Sequence, residues 1–148
     1  MFDPIASKSA AQVSGVLRIA YAPVLIYPTQ TAIEAMRTLK DMLSLIDFDP
    51  EKDTDISWQV NRPRFMESGL VNRLSRWETL QAGFVEFVSG AAGAGFTPSQ
   101  ATEFAARLTL DINSDASRIV PIDDKNLPNM VSQLRSLAVE ISEKGDLP

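Results

Sequence analysis

Asp47, Asp49, Glu51, Asp53 and Asp55 place five carboxylates at alternate positions, the densest chemistry in the chain. Alternating oxygen ligands after a helix are how an EF-hand loop begins, and the five match its first five ligand positions. The match then stops. The sixth position needs glycine for a sharp turn and holds Lys52; the twelfth needs a bidentate Glu and holds Trp58. Pro50 also stiffens the turn. The five are weak metal candidates, and a solvated acidic loop is expected. Asp111, Asn113 and Asp115 repeat the fragment more briefly, again without the glycine (Ala116) or the closing Glu (Ile122). Turn-forming Asx chemistry accounts for them.

Other reaction chemistry is thin, because the chain has no histidine and no cysteine. Histidine is the usual proton shuttle near neutral pH, and cysteine is the strongest neutral-pH nucleophile and a soft metal ligand. Their absence excludes Ser-His-Asp and Cys-His catalysis, ordinary zinc sites and disulfides. Gly90 to Thr97 comes close to a phosphate-binding P-loop, but Phe96 stands where that motif needs lysine. Glu78 and Glu86, or Asp123 and Asp124, could do paired-carboxylate work only if the fold set them across a cleft. No catalytic residue and no cofactor is expected.

Two groups are better suited to holding a partner. Arg62, Arg64, Arg73 and Arg76 form the main basic cluster, near Trp58 and Trp77, and could grip an acidic protein surface. The stretch Val13 to Tyr27 is the most hydrophobic in the chain, broken by Pro23 and closed by Pro28. Its Val16, Ile19, Tyr21, Val24, Ile26 and Tyr27 suit an edge strand or extended arm that recruits another chain.

The elements that would position these groups read as mainly α-helical α+β. Helices are expected at 31–47, 66–89, 98–110 and 127–144, with short strands near 15–27, 56–60 and 118–122. Thr31-Ala32-Ile33-Glu34 is a capping box, followed by a stripe of Ile33, Met36, Leu39, Leu43 and Ile46. Leu70, Leu74, Trp77, Phe84 and Val88 fall near heptad spacing, despite Gly69 and Gly83. Thr97-Pro98-Ser99-Gln100 looks like a helix start, and Leu127, Met130, Leu134, Leu137 and Ile141 repeat in register. The expected organisation is one domain over 1–148, with an N-terminal extended arm at 1–28 and a Gly/Ala hinge at 89–96.

Composition bounds the function. At 45% hydrophobic and 22% charged, the chain can bury a sizeable core without a disulfide or metal. A net charge of −5 argues against nucleic acid, whose backbone is gripped by Lys and Arg. The N-terminus lacks the basic start of a signal peptide, and no apolar run is long enough to span a bilayer. A cytoplasmic or virion location is expected. The reading is a non-enzymatic structural or assembly protein, such as a virion (phage head or tail) subunit, whose partners are other protein chains and copies of itself. A small regulatory or adaptor module is the alternative, and a carboxylate-based enzyme the second.

Overall fold

The computed structural model of the chain describes residues 15–90, 93–117 and 119–145, over 84–90 and 93–102 by backbone alone. Its elements are β1 (Ala20–Tyr21), β2 (Val24–Thr29), α1 (Ala32–Met42), β3 (Ser57–Asn61), β4 (Arg64–Met66), β5 (Gly69–Gly90), β6 (Gly93–Ser114) and α2 (Leu127–Lys144). The strands form one sheet in the order β1-β6-β5-β3, with β2 also pairing β6 and β4 also pairing β5.

This overturns the mainly helical expectation. The helices expected at 66–89 and 98–110 are the two long strands β5 and β6, and two helices remain among the described residues. Burial shows why. On β6, Ala106, Leu108, Leu110, Ile112 and Ser114 are buried, while Arg107, Thr109 and Asp111 are half-exposed, a period of two that over this span breaks only at the buried Asn113. On β5 the buried set is Val71, Arg73, Ser75, Trp77 and Glu78. Three of those five are polar, so the strand period vanishes from the hydrophobicity pattern. Leu70 and Leu74, only half-buried, supply a false helical one. Phe84 and the Thr97-Pro98-Ser99-Gln100 side chains lie outside the described residues.

Smaller corrections follow. The first helix stops at Met42, where Leu43 caps it by donating its N–H to Leu39 O at 2.8 Å. The expected strand at 118–122 is irregular over 119–122, with Ile122 N–H donating to Val16 O at 2.7 Å. Gly90 closes β5 and Gly93 opens β6; Ala91 and Ala92 of the expected hinge, and residues 1–14 of the expected arm, lie outside the described residues.

By contact density the chain divides into two units. The first comprises Met1–Val24, Gln59–Arg76 and Thr109–Pro148. Here α2 buries Leu127, Met130, Leu134, Leu137 and Ile141, each worth about 1.5–3 kcal/mol relative to exposure. Ile122, Leu127 and Met130 form a cluster against which Val16 and Ile19 pack. The β4–β5 hairpin pairs Arg64 with Val71, Phe65 with Leu70 and Met66 with Gly69. Gly69 has φ 110, left-handed backbone that a side chain would strain. Gly145 ends α2 at φ 78, its N–H donating to Ile141 O.

The second unit comprises Leu25–Trp58 and Trp77–Leu108. Thr31 Oγ1 accepts from Glu34 N–H at 3.2 Å, and Glu34 Oε2 reaches back to Gln30 N–H at 2.8 Å, fixing the start of α1. Ala35, Met36 and Leu39 turn inward from α1. Leu43, Phe48, Trp77, Ala106 and Leu108 are also buried in this unit.

Candidate functional site

The acidic loop is organised by internal partners. Asp47 pairs with Lys40 at 3.2 Å, Asp49 with Lys52 at 2.7 Å, and Glu51 with Arg37. Asp49 also accepts from Glu51 N–H at 3.0 Å, and Asp53 accepts from Asp49 N–H at 2.7 Å. Together the Lys52 ammonium and the Glu51 N–H hold the Asp49 carboxyl below its ordinary pKa. Asp55 sits at φ 56. Among the described residues no three acidic side chains are grouped so that they could hold a metal ion. A cavity of about 390 Å³ opens beside this loop, lined by Ile33, Met36, Leu80 and Phe104 together with Glu51 and Asp53.

The four arginines do not present one basic surface. Arg64 reaches Glu140 of α2 through both guanidinium nitrogens, at 2.8 and 3.3 Å. That contact, with Arg64 the main cause and Arg73 and Lys144 adding to it, lowers the Glu140 pKa. Arg73 is buried, Arg62 is half-buried with its N–H on Arg73 O at 3.1 Å, and Arg76 is exposed.

The six N-terminal candidates divide along the strand. Val16 and Ile19 pack into the first unit's core, and Tyr21 pairs with Ile112 of β6. Tyr27 is half-buried, and burial raises the pKa of its phenol. Val24 and Ile26 are exposed, by 57% and 46%. Backbone bonds set which way this edge faces. Ser114 N–H donates to Ile19 O and Leu110 N–H to Pro23 O, each at 3.0 Å. Odd-numbered residues therefore turn their peptide groups to β6. Carried along β2, this alternation directs Leu25, Tyr27 and Thr29 to β6 and Val24, Ile26 and Pro28 away from it.

Pro28 fits that parity. It has no N–H to give a ladder, and proline is tolerated where the missing donor would face an open edge. Among the described residues β2 pairs with β6 alone. The outward rim thus offers the N–H and C=O of Val24 and Ile26 and the C=O of Pro28. No charged side chain stands between Arg18 and Glu34. Sequence reasoning found these residues from hydrophobicity but missed the parity, which Pro28 could have signalled.

No protein-family model, curated protein or solved structure matches this chain. Among the described residues no helix is long and apolar enough to cross a membrane.

Proposed function

We propose that this chain is a structural or assembly protein that works through contacts with other protein chains, as a subunit of a larger assembly such as a virion. The observation that carries the reading is the β2 rim: an apolar, uncharged strand with its outward peptide groups unpaired among the described residues and Val24 and Ile26 exposed. An edge of this kind templates strand addition unless charge, a bulge or a covering element blunts it. Strand addition draws affinity from main-chain bonds and specificity from alternate side chains.

Mass in solution tests the reading. Sedimentation of the chain should give a defined species at a multiple of 16.2 kDa or incorporation into a larger particle. Ile26→Lys, placed on an exposed position, should reduce that association at least tenfold and leave the circular dichroism unchanged. A chain that stays monomeric at high concentration and captures no partner would refute it.

A further inference from the structure

We infer that β2 pairs antiparallel with β2 of a second copy about a two-fold axis at Ile26, a step that rests on the assembly reading above and names the partner. The outward residues are Val24, Ile26 and Pro28, and Ile26 is their midpoint. A two-fold there sets Ile26 opposite Ile26 and Val24 opposite Pro28. Each Ile26 N–H then donates to the Ile26 C=O of the other copy. Each Val24 N–H donates to the Pro28 C=O of the other copy. Every outward N–H of β2 gains an acceptor, and the N–H that proline lacks is not called for. Only the Val24 C=O is left over, at the strand end where water reaches it.

Charge permits a second copy and gives a charged partner strand nothing to pair with. Like charges directly opposite each other across a ladder are destabilising. The chain carries −5 overall, yet the segment from Ile19 to Ile33 carries none, so the rim can meet itself without repulsion. A partner selected by charge would find nothing here to read. The geometry also closes: an isologous pair occupies the same rim on both copies. A shift towards Gln30 is blocked, because Gln30 N–H already donates to Glu34. A shift towards Ala22 leaves the strand, since Ala22 and Pro23 separate β1 from β2.

The absence of cysteine makes the test clean. Residues directly opposite in a hydrogen-bonded antiparallel pair have Cα atoms about 5.5 Å apart, within reach of a disulfide. Ile26→Cys should therefore form a disulfide-linked dimer under mild oxidation, at least tenfold faster than Leu45→Cys, an exposed control. Ile26→Lys and Ile26→Glu should each be monomeric, and mixing them should restore a dimer by setting opposite charges across the axis. The mixing arm also guards against the chance that the disulfide geometry is unfavourable. Oligomers that form normally, with neither cross-linking at position 26 nor rescue on mixing, would overturn the two-fold and leave the assembly reading standing. A full-length chain that is monomeric at high concentration and takes up no partner would overturn both.

Discussion

Replacing Arg107 by Met should destabilise the protein strongly, because it strands a buried carboxylate. Arg107 donates to Glu78 Oε1 from Nε at 2.9 Å and from Nη2 at 2.6 Å. The Glu78 side chain is 11% exposed and that of Arg107 34%. Removing one partner of a buried pair costs about 3–5 kcal/mol, since the remaining charge keeps its desolvation penalty. Arg107 is one-third exposed and Glu78 has other contacts, so the lower end applies, about 3 kcal/mol. For a chain of this size that corresponds to a fall in Tm of about 6–12 °C. Urea unfolding, followed by tryptophan fluorescence and circular dichroism to check for a single transition, measures it. Glu78→Gln should soften the loss, and the double variant should be less destabilised than the sum of the two. Strict additivity, or a loss below about 1 kcal/mol in Arg107→Met, would show that the pair is effectively solvated.

Two further outcomes are expected. Glu140 has a depressed pKa in the folded state, so its contribution is present above the unfolded carboxyl value and lost as pH falls through the folded one. Glu140→Gln should cost about 1 kcal/mol at pH 7, discounted because both side chains are about one-third exposed, and next to nothing at pH 3; equal losses at both would refute the assignment to Arg64. Millimolar Ca²⁺ should leave Tm unchanged, because the acidic loop's carboxylates Asp47, Asp49, Glu51 and Asp53 are already engaged internally; a rise of several degrees, abolished in Asp49→Asn/Asp53→Asn, would show a site that binds the native state.

How much of this fold was legible depends on where the polar residues fall. The last helix was visible because every inward position of α2 is apolar and Pro128 suits its first turn. The capping box at Thr31 was visible for a similar reason, since caps are local chemistry. On β6 the alternation from Ala106 to Ser114 was present in the sequence, but Thr97-Pro98-Ser99-Gln100 suggested a helix upstream and drew attention from it. On β5 the strand was hidden. Arg73 and Ser75 occupy inward positions, Glu78 is buried as the partner of Arg107, and the leucines fall at helix-like spacing by coincidence. Polar residues buried on a strand are paid for by partners that only the fold supplies. The arginines show the same blindness at the site: spacing suggested one cluster, and the fold gives Arg64 to Glu140 and buries Arg73.

Two prolines, Pro23 just before β2 and Pro28 within it, decide what kind of association its rim can support. An open apolar edge that could pair along its whole length would do so in several registers, since nothing would fix the offset between the two strands. Pro23 interrupts the edge between β1 and β2, and Pro28 removes the outward donor at the far end. What remains is a rim with two N–H donors, Val24 and Ile26, which a short antiparallel partner satisfies in full. In the two-fold arrangement both copies spend the same rim on each other, so no donor is left to recruit a third chain through β2. Growth beyond a dimer would have to use a different surface. If Pro28→Val turned the defined species into a polydisperse one without unfolding the monomer, proline would be shown to act as the terminator. If Pro28→Val left the size distribution untouched, the limit on pairing would lie elsewhere than in the missing donor.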